Sequence, residues 1–176
     1  MLRKTLVLTL SGLLCMAAAP RPASRPARAP APSAAALDAR DPASLITLLA
    51  SLSAKAEVAR RDGDAVFLSV TSPTEVFSAQ FAGCNPQGRN CQALLFDRQG
   101  AQGSPTLVQL NAFNQTSVMC RLYQDKGGRA HVIYSSLLSP KDGRAEMLLH
   151  LNAWRGCIGD FNAFVKDPTG FLAGAE

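Results

Sequence analysis

The chain has 176 residues (18.6 kDa), 47% of them hydrophobic and 18% charged, with a formal net charge of +5 and an isoelectric point near 9.2. That length holds one domain with enough chain to bury a core, and the composition excludes both a multidomain enzyme and a mostly disordered chain. Five of the eighteen Lys and Arg residues (Arg3, Lys4, Arg21, Arg25, Arg28) lie in residues 1–37 with no acidic partner; this leaves thirteen basic against thirteen acidic side chains in residues 38–176, without the surplus cations that nucleic-acid binding requires.

The first segment is Met1-Leu2-Arg3-Lys4, followed by the uncharged, leucine-rich run Thr5–Ala19 that ends in Met16-Ala17-Ala18-Ala19. A positive head, an apolar stretch and small residues at its end read as a signal peptide over residues 1–19, with an uncleaved anchor as the alternative. The run falls short of the about 20 apolar residues that span a bilayer as a helix. Pro20 disfavours cleavage after Ala19, so Ala17 or Ala18 is the preferred site. Cys15 raises a lipoprotein alternative, weakened by the bulky Leu14 before it, where lipidation signals want a small residue. Residues 20–37 hold five of the eleven prolines and almost nothing to bury, which predicts an extended spacer of roughly 3 Å per residue. The address expected from this leader is periplasmic or secreted.

From Asp38 onward the pattern is that of one domain. Three helices are predicted, each opened by a capping side chain and a proline: Asp41-Pro42, Ser104-Pro105 and Ser139-Pro140. Apolar residues recur at helical spacing after each, most clearly Leu151, Trp154, Ile158, Phe161 and Val165 in the third. Asp142 stands at the capping-box offset from Ser139. Gly156 and Gly159 lie within that helix, on one side with Asn152 and Ala163, and predict a close approach to the sheet or to a second subunit.

Six strands are predicted over residues 57–61, 65–71, 75–82, 91–97, 117–124 and 130–137, separated by turn signals such as Asp62-Gly63-Asp64, Asn85-Pro86-Gln87-Gly88 and Asp125-Lys126-Gly127-Gly128. Connections this short permit only antiparallel neighbours. The order αββββαββα therefore predicts an α+β domain, a meandering, mainly antiparallel sheet with helices on one face.

Besides Cys15 there are four cysteines, Cys84, Cys91, Cys120 and Cys157, an even count that in an exported chain reads as disulfides. Three connectivities are open. Spacing favours Cys84 with Cys91 across a turn-rich loop; Cys120 and Cys157 are either a second bridge or two buried thiols. The gap between Cys84 and Cys91 fits neither a zinc ligand pair nor a redox-active Cys-x-x-Cys.

Chemistry-bearing motifs are sparse. The two histidines, His131 and His150, stand without a nucleophile motif, and there is no Gly-x-Ser-x-Gly, phosphate-cradling loop, His-Glu-x-x-His or Gly-x-Gly-x-x-Gly. No catalytic, metal or cofactor-binding residues are assigned. Asn111 and Asn114 share a helix face and are candidate partner contacts, although asparagine more commonly bonds neighbouring backbone. Trp154 is a candidate interface anchor or, within its apolar stripe, a core residue.

The fragment from Phe81 to Phe96, with Gly83-Cys84-Asn85-Pro86-Gln87-Gly88-Arg89-Asn90-Cys91 at its centre, resembles the YbjN family of bacterial proteins in the branch that carries a cysteine pair around this loop. The opening Asp41-Pro42, the segment Leu110-Asn111-Ala112-Phe113-Asn114, and Ala153-Trp154 followed by Phe161 and Phe164 are similar to its other elements, so the likeness covers residues 41–165. Ser139-Pro140-Lys141-Asp142 stands where the family pattern has a Gly-Gly turn. The resemblance implies a type III secretion chaperone-like fold that binds protein segments, a homodimer, and a sensory-transduction or stress-regulator role without known enzymatic activity. The expected function is thus an exported, non-enzymatic binding module for a protein or envelope component, with no nucleic-acid partner and no span after leader removal. The alternatives are a small envelope enzyme using His131 or His150 with a cysteine, and a purely structural tethered domain.

Overall fold

The computed structural model describes residues 37–100 and 105–174; the leader, the spacer as far as residue 36, Cys15 and Ser104 lie outside the described residues. The elements are α1 (Pro42–Ser51), β1 (Lys55–Asp62), β2 (Ala65–Thr71), β3 (Val76–Ala82), β4 (Ala93–Gln99), α2 (Leu107–Thr116), β5 (Cys120–Gln124), β6 (Ala130–Leu137), α3 (Arg144–Lys166) and α4 (Pro168–Ala173). This is the α+β order expected, with a short fourth helix added at the end.

Helix starts follow local chemistry. Asp41 caps α1 by accepting from the Ala43 amide (3.0 Å), with Pro42 at the first helical position. Helix α2 starts later than Ser104-Pro105 implies, because Thr106 and Gln109 form a reciprocal capping box: Thr106 Oγ1 accepts from the Gln109 amide (3.3 Å) and Gln109 Oε1 from the Thr106 amide (2.9 Å). Two orphan donors are satisfied together there, which a Ser-Pro start cannot match. Helix α3 likewise begins after Gly143, whose amide donates to Glu146 Oε2 (2.9 Å). Ser139 and Asp142 close the turn ahead of it, the Ser139 amide donating to Asp142 Oδ2 (2.7 Å). Helix α4 repeats the Asp-Pro device: Asp167 Oδ1 accepts from the Gly170 amide (3.0 Å) and Pro168 leads the helix.

The strands form a single antiparallel sheet in the order β1-β2-β3-β4-β6-β5, because β5 follows α2 to the far edge and β6 returns between it and β4. Side chains alternate across a strand. One face therefore gathers Val66, Leu68, Val70, Ala79, Phe81, Leu94, Phe96, Val132 and Tyr134 into the core with Leu45, Leu48 and Leu49 of α1 and Met147, Leu151, Trp154, Phe161 and Phe164 of α3. Trp154 is 1% exposed, its ring 5.6 Å from those of both Phe77 and Phe96, so it is a core residue. Arg98 pins α3 beside it, donating to Asn162 Oδ1 (2.8 Å) and pairing with Glu75 (3.1 Å).

Two disulfides hold this layer. Cys84–Cys91 closes the loop between β3 and β4, and Cys120–Cys157 ties edge strand β5 to the middle of α3. They fit an oxidising compartment. Among the described residues no helix is long and apolar enough to cross a membrane.

The close approach expected at Gly156 and Gly159 is not made to the sheet. Both are exposed, and a Cβ built on either meets nothing within 4 Å. Each should then carry the entropic cost of glycine with no packing return, so Gly156→Ala and Gly159→Ala should each raise stability by about 1 kcal/mol, read from denaturant midpoints at unchanged m-value. Replacing Cys120 and Cys157 together by alanine, which opens a 37-residue separation, should cost about 4 kcal/mol, against about 2.5 kcal/mol for the Cys84/Cys91 pair, measured in the same titration.

Candidate functional site

With all the main helices on one side, the other face of the sheet is uncovered by any described element. Its side chains lie in rows across the strands. One row runs Arg60, Phe67, Gln80, Leu95 and Ser135; the next runs Glu57, Ser69, Ser78, Asp97 and Ile133, ending at Arg121; a third holds Gln99, His131 and Tyr123. Phe67, Leu95 and Ile133 are half-buried among polar neighbours, and together they floor a shallow trough of about 560 Å³. The Arg60 guanidinium lies over the Phe67 ring, 3.5 Å from its centroid, and covers one end of the floor.

At the other end stands a polar cluster. His131 Nδ1 is 2.9 Å from Asp97 Oδ1, and its buried Nε2 lies 3.5 Å from Asp125 Oδ2, within ion-pair range but without a hydrogen bond. The Tyr123 ring stacks on the imidazole at 4.6 Å, and its hydroxyl donates to Asp97 Oδ2 (2.9 Å). Asp125 is fixed by the β5–β6 turn: its Oδ1 accepts from the Arg129 amide (2.9 Å) and its Oδ2 from Gln99 Nε2 (3.2 Å). That amide above all, and His131 after it, hold the Asp125 carboxyl below the usual carboxylate range. Burial first, and then the bond to Asp97 and the two carboxylate charges, push the Tyr123 phenol up to about 12.

His150 is elsewhere, on the covered side, where its Nδ1 meets the Tyr134 hydroxyl at 2.8 Å. Burial lowers its pKa despite Asp142 and Glu146 nearby, which keeps the imidazole neutral near pH 7 and able to accept the phenolic proton. The two histidines are thus brought to opposite faces of the sheet, and all four cysteines of the domain are in disulfides. Among the described residues no cluster of three His, Cys, Asp or Glu side chains is arranged to hold a metal ion.

Of the two asparagines singled out from sequence, Asn111 is exposed and Asn114 turns inward to edge strand β5. Asn114 Oδ1 accepts from the Leu122 amide (2.7 Å) and its Nδ2 donates to the Leu122 carbonyl (2.9 Å). Ser117 Oγ accepts from the Cys120 amide (3.1 Å), and Arg121 Nη1 donates to the Cys120 carbonyl (2.7 Å). The outer row of β5 is therefore occupied by side chains. The Cys84–Cys91 loop is equally well held: Asn85 Oδ1 accepts from the Gln87 and Arg89 amides (3.1 and 2.9 Å), and Arg89 Nε donates to Asp41 Oδ2 (2.6 Å). A narrower cleft of about 190 Å³ opens between α1, α3 and the 72–75 turn, lined by Leu49, Leu52, Phe77, Trp154 and Ile158.

The open-face cluster was not legible in the sequence, since Asp97, Tyr123, Asp125 and His131 come from three strands and a turn and meet only through strand register. Its signature is measurable. Both tyrosines are raised, Tyr134 mainly by burial, so neither should titrate at the ordinary midpoint of 10. Because the folded pKa of Tyr123 exceeds the unfolded one, its contribution to stability is complete below pH 10 and is lost as pH rises from 10 towards 12. Absorbance titration at alkaline pH should show this, and Asp97→Asn should move one midpoint down.

No protein-family model, curated protein or solved structure matches this chain.

Proposed function

We propose that the chain is an exported, non-enzymatic binding module of the YbjN type that recognises an extended polypeptide segment on the open face of its sheet. The observation that carries this reading is the apolar group Phe67, Leu95 and Ile133, half-buried on the face that no described element covers, while the opposite face is packed by α1 and α3. A trough this shallow does not enclose a small molecule on most sides, as ligand pockets do. It suits a chain laid across the strands, with apolar side chains on its floor and Ser69, Ser78 and Gln80 offering hydrogen bonds along it. The resemblance to a chaperone-like family points the same way. Two disulfides support a periplasmic or secreted address, as does the leader.

The enzyme reading has less to draw on. His131 faces a carboxylate at each nitrogen, which leaves neither aimed at a substrate proton, and the domain cysteines are bonded to one another.

A photoreactive side chain at position 95 tests the reading in cells, with the same group at Leu149, 66% exposed on α3, as control. The expected result is a discrete polypeptide adduct from position 95 that position 149 does not give and that Phe67→Glu abolishes. Equal adducts from both positions, or turnover of a small molecule lost in His131→Ala with the fold intact, would overturn it.

A further inference from the structure

The cleft between α1, α3 and the 72–75 turn lies on the helix side of the sheet, away from the open face and independent of what binds there. Its walls are apolar: Leu49 and Leu52 come from α1, Phe77 from β3, and Trp154 and Ile158 from α3. Phe77 stands opposite Val70 of β2 and so projects with the core residues, while Leu52 keeps 37% of its surface open to solvent at the end of its helix. The cleft is therefore an inlet into the edge of the core, with a volume of about 190 Å³.

Two charged side chains line the cleft, and they differ in how they are held. Arg98 Nε lies 3.1 Å from Glu75 Oε2, so the Glu75 carboxylate already has its cation. Ser72 is spent as well: its Oγ donates to the Glu75 carbonyl (3.1 Å) and accepts from the Glu75 amide (3.0 Å), which closes the turn. Arg155 follows Trp154 on α3 and is exposed. Among the described residues no group accepts a hydrogen bond from its guanidinium or pairs with its charge. One uncompensated positive charge thus borders an apolar recess.

We propose that this cleft binds a small free monocarboxylate carrying one ring-sized apolar group, with Arg155 receiving the carboxylate and Leu52, Phe77, Trp154 and Ile158 enclosing the apolar part. Volume sets the size of the ligand. A cavity of about 150 Å³ with aliphatic and aromatic walls takes up benzene, so one ring fits this space and a long acyl chain does not. Charge sets the polarity. A guanidinium presents parallel N–H donors that match both oxygens of a carboxylate. An amine would find no free anion, because Glu75 is held by Arg98. Apolar walls with a single orienting polar group are the usual composition of a small-molecule site.

The test uses the disulfide-bonded chain and hydrocinnamate as the probe. Trp154 is the sole tryptophan, so its emission reports on the cleft wall directly. Titration to about 10 mM should change that emission saturably, and saturation-transfer NMR should place the probe's ring protons against the protein. The primary amide of the probe, which keeps its shape without the charge, should bind about fivefold more weakly, as should hydrocinnamate to Arg155→Gln, the scale of one exposed ion pair. The amide should bind wild type and Arg155→Gln alike, acetate should not compete, and phenethylammonium should do no better than the amide. Glutamine suits an exposed helix position, and unchanged circular dichroism checks that the variant folds. Phe67→Glu, on the open face, should leave the affinity unchanged. No saturable binding by either measurement, equal affinity for acid and amide, indifference to Arg155→Gln, or loss in Phe67→Glu would each overturn the proposal.

Discussion

The seat of Trp154 between Phe77 and Phe96 governs much of the remaining structure. A 23-residue helix laid over the sheet through this ring, and tied down by Arg98 and by Cys157, commits one face of β2 to β6 to the core. Alternation does the rest: once Phe96 points inward, Leu95 and Asp97 must point out, and so must their neighbours in each row. The open face is thus a geometric consequence of how α3 is anchored. A void under that indole would be costly, because truncating a buried aromatic of this size typically loses several kcal/mol.

How far the fold can be read from sequence depends on the range of the interaction concerned. Asp41-Pro42 marks the start of α1 because a cap needs only the three residues after it. Asp167-Pro168 is the same signal ahead of α4, and was equally available to be read. Ser104-Pro105 and Ser139-Pro140 mislead because a stronger local option follows each, the Thr106–Gln109 box in one case and the Glu146 contact with the Gly143 amide in the other. The alternating stretches located all six strands, although β5 begins at Cys120, where Ser117 is spent on bonding the Cys120 amide. Asparagine at 114 illustrates the limit: its pattern is that of any polar residue on a helix, and only the fold brings the main chain of Leu122 within reach. The grouping of Asp97, Tyr123, Asp125 and His131 is a matter of register, which no periodicity in one segment encodes.

The disulfides act at different levels of the architecture. Cys84–Cys91 organises a loop that is already bonded to the cap of α1 through Arg89 and to β1 through Arg61, whose Nη1 donates to the Gln87 carbonyl (3.2 Å). Gly88 suits that loop because its φ is +73°, a backbone conformation that residues with a Cβ rarely adopt. Cys120–Cys157 instead crosses between layers and binds the last-added edge of the sheet to the helix that defines the core. The first bridge refines a local shape, and the second keeps two distant parts of the chain together.

The grip of Asn114 on Leu122 also bears on what happens when many copies crowd together. A sheet with two bare margins can add neighbours endlessly and lengthen into a fibre, whereas here one margin is plugged by the molecule's own side chains. Among the described residues β1 is then the margin with no flanking strand, so a strand-to-strand union there would halt at a closed pair. A built-in stop of this kind is a safeguard against runaway stacking.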